Sequence, residues 1–134
     1  MFDSLDIGAS GLAAQRTRMD TIANNILNAR TTRNAAGGKE TYRRKFVVLA
    51  PGQANDPSKP GVHVQEIDSD QTAFRKEYDP GHPDADAQGY VSYPNVDTAI
   101  ETVDAMEASR AYEATVTMMD VTKSMINASL RLIA

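Results

Sequence analysis

Apolar residues recur every seven positions at both ends of this chain: Leu5, Leu12, Met19 and Ile26 near its start, and Ala111, Met118, Met125 and Leu132 toward its finish. A seven-residue repeat keeps one stripe of a helix facing a partner along its whole length. Both ends are therefore predicted to be long helices that pack lengthwise, with Ala114, Val121 and Ala128 at the second seam position of the C-terminal repeat. A helix over Asp3 to Asn28 would run roughly 39 Å and one over Val96 to Leu132 roughly 55 Å, at about 1.5 Å per residue. The two could close as a core within one monomer. The roughly 65 residues between them, however, are too few to cover both flanks of such helices. The uncovered seams are expected to need other chains.

The predicted fold class is mainly α with a small β-rich insertion: long N- and C-terminal helices packed as a coiled coil, and an antiparallel β segment between them. Three units follow, 1–30 as the N-terminal helix of that core, 31–94 as a linker and β-rich outer segment, and 95–134 as the C-terminal helix. Gly8 and Gly11 lie inside the first helix, where each costs close to 1 kcal/mol relative to alanine, so its first turns need contacts to stay ordered. After Asn28 the periodicity stops, and Gly37-Gly38 marks a flexible exit. Lys45 to Ala50, Val62 to Ile67 and, more weakly, Phe74 to Tyr78 read as strands of a small antiparallel sheet, separated by Pro51-Gly52 and by the stretch holding Pro57 and Pro60. Pro94-Asn95 opens the last helix, with Asn95 as its cap and Asp97 and Glu101 near the positive end of its dipole.

Composition narrows the function. With 134 residues, 24% charged and 41% hydrophobic, the chain fits one soluble domain or an elongated subunit. No membrane span and no cleavable secretory leader are predicted, because the start lacks a basic segment and a continuous apolar run. The absence of cysteine excludes disulfides, thiolate metal sites and cysteine nucleophiles. Net charge is −4, but it is unevenly spread: Arg30, Arg33, Lys39, Arg43, Arg44 and Lys45 face a single acid, Glu40, over 30–45, whereas 62–107 is strongly acidic. That basic stretch has Tyr42 as its lone aromatic in an acidic chain, a poor nucleic-acid surface, and no nucleic-acid partner is expected. The stretch is either a solvated loop or a patch that meets the acids of a neighbouring copy, with Arg43, Arg44, Asp84 and Asp86 as candidate electrostatic contacts.

Chemistry finds little support. His63 and His82 are the only histidines, and no serine sits in a nucleophile elbow. Asp84-Ala-Asp86-Ala-Gln88-Gly89 copies the opening of a calcium loop, yet its twelfth position is Asn95 where the loop needs a bidentate glutamate, and the stretch reads better as a hydrogen-bonded turn. Glu66 and Asp68 share one face of a strand and read as a solvated pair. No catalytic residue, cofactor or metal is expected.

The run Ser10-Gly-Leu-Ala-Ala-Gln15, continuing through Asn24-Asn25 and Asn28 to Thr31-Thr32, resembles the N-terminal signature of the axial proteins of the bacterial flagellum. Tyr42-Arg43-Arg44, Tyr78-Asp-Pro-Gly-His-Pro-Asp-Ala-Asp86 through Gly89-Tyr90-Val91, Pro94-Asn95-Val96 and Ala108-Ser109-Arg110-Ala111-Tyr112-Glu113-Ala114 resemble the short proximal-rod class within that family. Ile26-Leu27-Asn28 replaces the second Ala-Asn pair of many relatives, and the Gly-Tyr of the longer rod and hook proteins is missing.

The resemblance implies a structural subunit of the proximal rod, not an enzyme, that assembles with other copies of itself and with other flagellar rod proteins into a helical drive shaft crossing the periplasm. It implies neighbours at the membrane-ring and export-gate end and in the distal rod, and export from the cytoplasm by the flagellar type III apparatus. Subunit-interface residues would be Leu5, Leu12, Met19, Ile26, Ala111, Met118, Val121 and Met125, with Asn24 and Asn25 at the helix end. A coiled-coil export adaptor, another axial protein of the flagellum, and a small metal enzyme centred on His82, Asp84 and Asp86 are the alternatives.

Overall fold

The computed structural model describes residues 2–133, so residues 1 and 134 of the predicted end units lie outside it. Two helices, α1 (Phe2–Leu27) and α2 (Thr98–Ile133), flank four short strands, β1 (Lys45–Pro51), β2 (Val62–Ser69), β3 (Arg75–Tyr78) and β4 (Tyr90–Tyr93). The helices pack on each other, and α1 also carries the β1–β2 hairpin on another flank. Two separate antiparallel pairs replace the single predicted sheet, β1 with β2 and β3 with β4. The strand β4 was not expected, because Tyr90–Tyr93 is only four residues long and has no alternating polar face to signal it.

The helices run antiparallel with a close crossing near their small residues. A side chain on Gly8 would meet Met119 Cγ at 2.7 Å, and one on Gly11 would touch Thr115 Cγ2 at 3.9 Å. The glycines that weaken α1 in isolation thus let α2 approach. The contact supplies the order that their propensity withholds. Further along, Arg18 pairs with Glu107 at 3.7 Å, and Asn25 reaches Glu101. Helix α2 has 36 residues against 26 for α1, an excess of roughly 15 Å at about 1.5 Å per residue.

One row of covered or half-covered positions on α2 steps by fours and threes: Glu101, Ala105, Ala108, Tyr112, Thr115, Met119, Thr122, Ile126 and Ser129, with Asp104, Ser109 and Ala111 half-covered beside it. The hydroxyls in this row bond within their own helix, Thr115 to the Ala111 carbonyl (2.8 Å), Thr122 to Met118 (2.8 Å) and Ser129 to Met125 (2.9 Å). These three hydroxyls are therefore satisfied within α2, and they can face a packed neighbour without leaving a bond unmade.

The cap of α2 is Asp97 and not Asn95. Its Oδ1 accepts from the backbone N–H of Ala99 (2.9 Å) and Ile100 (3.3 Å). Asn95 is engaged elsewhere, its Oδ1 accepting from Arg44 N–H and its Nδ2 donating to Thr72 Oγ1 and to the Asp70 carbonyl. The predicted flexible exit after α1 is instead a hydrogen-bonded turn: Gly37 N–H donates to the Asn34 carbonyl, Asn34 N–H to that of Gly38, and Tyr42 N–H to that of Thr31. A second small core lies beyond it, where Ala29, Val91, Tyr93 and Val96 are buried.

Candidate assembly interface

The surface of α2 carries a second row one residue behind the packed one: Ala111, Ala114, Met118, Val121, Met125, Ala128 and Leu132. One residue is about 100° around a helix, so this row lies to one side of the face packed on α1. Every member is apolar. Met118 is 51% exposed, Val121 54% and Met125 64%, whereas neighbouring Met119 lies against Gly8. Ile100, Val103 and Met106 are exposed nearer the start of α2, and Glu107 and Arg110 interrupt the apolar row between the two parts. Among the larger apolar side chains of the described residues, only Ile22, Val91, Tyr93, Pro94 and Val96 are buried. A chain with so much contiguous apolar surface outside carries an interaction face.

The matching residues of α1 are placed differently. Leu5, Leu12, Met19 and Ile26 are half-buried on a flank of the helix pair. The positions that face α2 are their neighbours Gly8, Gly11, Arg18 and Asn25. Ala111 is half-buried where the two rows of α2 meet.

Asn25 is 1% exposed in the single chain and serves the chain's own fold. Its Nδ2 donates to the Lys45 carbonyl (2.7 Å) and to Glu101 Oε2 (3.1 Å), and its Oδ1 accepts from Lys45 N–H and from the Tyr42 hydroxyl, each at 2.9 Å. One amide thus ties the end of α1 to the start of β1 and the first turn of α2. Asn24 stays exposed, and its carbonyl accepts from Asn28 N–H and Nδ2 as a helix-end contact. Glu101, read in the sequence as a dipole-facing acid, is 1% exposed and receives Arg44 Nε as well. The burial of Tyr42 beside the Glu101 carboxylate raises the tyrosine pKa, since both disfavour a phenolate.

Arg44 and Asp84 are also engaged within the chain. Arg44 lies among Glu101, Asp70 and Asp104, with Asp70 at 3.7 Å and Asp104 at 3.9 Å, so its charge is matched inside the chain. Asp84 is 6% exposed and receives Thr32 Oγ1 at 2.7 Å and Arg33 through both Nε and a terminal nitrogen. Those hydrogen bonds, from Arg33 first and Thr32 second, hold the Asp84 carboxyl down to about 2. Asp86 remains exposed, and its Oδ1 accepts from Gln88 and Tyr90 N–H to close the turn that the sequence suggested. Arg43 donates to the Asp70 and Thr72 carbonyls. His82 Nδ1 accepts from Asp84 N–H. Among the described residues no three His, Cys, Asp or Glu side chains converge as a metal site, and no helix is long and apolar enough to cross a membrane.

Residues 5–33 match the family described as flagella basal body rod protein, and residues 87–132 match the C-terminal family of the flagellar basal body rod FlgEFG proteins. The chain is 41% identical to the flagellar basal-body rod protein FlgC of Bacillus subtilis, over 98% of this chain and 97% of that one. It is 39% identical to FlgC of Borreliella burgdorferi, over 99% and 97%. The chain belongs to the FlgC family of flagellar basal-body rod proteins. FlgC of Aquifex aeolicus is similar too, at 40% identity over 92% of this chain and 90% of its own. A FlgC-family chain is a structural subunit of the flagellar rod, not an enzyme, and its place is the flagellar basal body. The two matched segments of the FlgC-family chain hold the Gly8–Met119 crossing, both ends of the Asn25–Glu101 bond and the open apolar row.

Neither member of the Asn25–Glu101 pair carries a sequence signal for the other, since 76 positions separate them. A usable signal did exist for the crossing: two glycines three apart on a helix mark a place where another backbone comes close.

Proposed function

We propose that this FlgC-family chain is a proximal-rod subunit. It assembles with copies of itself and with other rod proteins into the helical shaft that transmits motor torque and encloses the export channel. In this reading α1 and α2 form a coiled coil in the wall of the tube, 1–30 and 95–134 making its core and 31–94 its outer side. The shaft adjoins the membrane-ring and export-gate end below and the distal rod above, and the chain reaches it unfolded through the flagellar type III apparatus.

The observation that carries the reading is the pair of rows on α2, offset by one residue. The mixed row, with its hydroxyls bonded inside the helix, packs on α1, and the apolar row stays open from Ala114 onward. Covering the exposed halves of Met118, Val121 and Met125 would be worth about 1 kcal/mol each, from about 1.5–3 for a whole side chain. Repeated along a helical array, that gain favours assembly over the free chain. The four-three spacing of the packed row is the spacing of a coiled-coil seam.

Cryo-electron microscopy of isolated basal bodies tests this. The expected result is density for α1 and α2 side by side in the wall of the proximal rod, with Met118 and Met125 against a neighbouring helix. A small soluble oligomer with no density in the basal body would overturn it in favour of an export adaptor.

A further inference from the structure

Three cations of the basic stretch, Lys39, Arg43 and Lys45, have no acid within ion-pair distance among the described residues, and two of them share a cleft. Arg43 and Lys45 form no ion pair among the described residues, whereas Arg33 and Arg44 are matched by Asp84 and Glu101. Both line one cleft of about 850 Å³, and each is backed by a ring that also lines it. The Arg43 guanidinium lies 4.3 Å over Phe74 and Lys45 Nζ lies 6.0 Å from the Tyr42 ring centre. Glu40, the carboxylate of that lining, already accepts from Asn34 Nδ2 at 2.9 Å. The cleft is held in shape before any partner arrives: Arg43 is fixed by two backbone carbonyls, and the Lys45 backbone is clasped on both sides by Asn25. Such preorganisation lowers the entropy cost of docking.

The chain also presents the complement. Glu66 and Asp68 are exposed alternate residues of β2 with no ion pair among the described residues. Alternate strand residues share a face about 6.6 Å apart, a spacing that two cations in one cleft can meet. The register sets Lys45 opposite Ser69 and Glu66 opposite Val48, which separates Lys45 from Glu66 by about 10 Å along the hairpin.

We propose that the cleft of Arg43, Lys45, Tyr42 and Phe74 receives the Glu66–Asp68 face of β2 from a second copy of the chain. A basic cleft on one copy meeting an acidic strand on the next is a head-to-tail contact, which propagates as an open helix where a two-fold contact closes as a dimer. The inference rests on the rod-subunit reading and assigns that reading a lateral contact apart from the apolar row of α2.

The chain has no cysteine, so introduced thiols report unambiguously. Lys45→Cys and Glu66→Cys chains are expressed separately and together in flagellated cells, and isolated basal bodies are treated with a short bismaleimide. Lys45 acts in the fold through its backbone, and Glu66 is exposed, so both substitutions leave the fold in place. The expected result is a crosslinked dimer holding one chain of each kind, present only in the mixed cells and lost when Asp68→Lys is added to the Glu66→Cys chain. Both variants present in basal bodies without that dimer, or a crosslink to a different protein, would overturn the contact and leave the rod reading standing. Absence of the unaltered chain from basal bodies would overturn both. Lys45→Glu is a second probe. It is expected to reduce motility, and Glu66→Lys in the same chain to restore it; failure of that restoration in exported, folded chains counts against the contact.

Discussion

Asn25 and Glu101 meet through a single hydrogen bond of 3.1 Å in the closed space between the two helices, although 76 positions separate them in the chain. Asn25 also holds the Lys45 backbone and the Tyr42 hydroxyl, and Glu101 also holds Arg44. This junction joins the end of α1, the start of β1 and the first turn of α2.

Asn25→Asp should therefore disrupt the chain more than Asn25→Ala. Alanine leaves buried donors and acceptors without partners, at about 1–3 kcal/mol for such a group. Aspartate adds a carboxylate facing that of Glu101, in a site that excludes water. Glu101→Ala removes the closest partner of Arg44, which keeps Asp70 and Asp104, and leaves Asn25 Nδ2 one acceptor short; it should cost about 1–3 kcal/mol. Urea unfolding followed by circular dichroism checks all three, and equal midpoints for Asn25→Asp and the unaltered chain would show that the junction contributes no stability.

Gly8→Leu should push the helices apart, because even a Cβ there meets Met119 Cγ at 2.7 Å. Overpacking of this kind costs about 1–3 kcal/mol. Met119→Ala in the same chain should recover part of the loss, since it vacates the space the new side chain enters. A double-mutant cycle on thermal midpoints reads the coupling, and additive effects would mean that the two residues do not share the space.

Adjacent methionines on α2 should behave in opposite ways. Met118→Asp changes a side chain that is 51% exposed, so it should leave the monomer as stable as before, within about 0.5 kcal/mol, and abolish incorporation into the rod. Met119→Asp places a carboxylate in the packed row and should destabilise the monomer itself. Thermal unfolding of each purified chain, together with motility of cells exporting it, separates the two; motile cells carrying Met118→Asp would show that the open row is not a subunit contact.

Acid should weaken the chain through Asp84. Its carboxyl titrates at about 2 in the folded protein against 3.8 unperturbed, because Arg33 and Thr32 hydrogen-bond the charged form. The folded value lies below the unfolded one, so the stabilisation is complete above about pH 4 and is lost as the pH falls toward 2. Asp84→Asn should be less stable than the unaltered chain at neutral pH, and the gap should narrow between pH 4 and 2. Urea midpoints across that range measure the gap, and a constant gap would remove Asp84 as its source.

Amide exchange should follow the contact pattern along α2. Amides near Ala108 and Thr115 lie where α1 is pressed close, whereas those beyond Ile126 lie in the overhang. The first group should be protected and the last turns should exchange rapidly in the isolated chain. Equal protection along the whole helix would mean that the overhang is covered in the free protein.

Seven-residue spacing in the sequence was enough to establish two long end helices, because a helix needs only a local pattern of apolar residues and breakers. Pro51-Gly52 and the β-branched Val47-Val48 likewise located the β1–β2 hairpin. Which row of α2 packs on α1 was decided by tertiary structure. Ranking positions by apolarity selects Met118, Val121 and Met125, while the helix pair selects Gly8, Gly11, Thr115 and Met119, where small residues allow close approach and hydroxyls are satisfied within the helix. The Asn25–Glu101 bond and the internal pairing of Arg44 and Asp84 were illegible for a related reason. A charge or an amide in a sequence carries no record of its partner, and only the folded path of the chain brings the two within hydrogen-bonding distance.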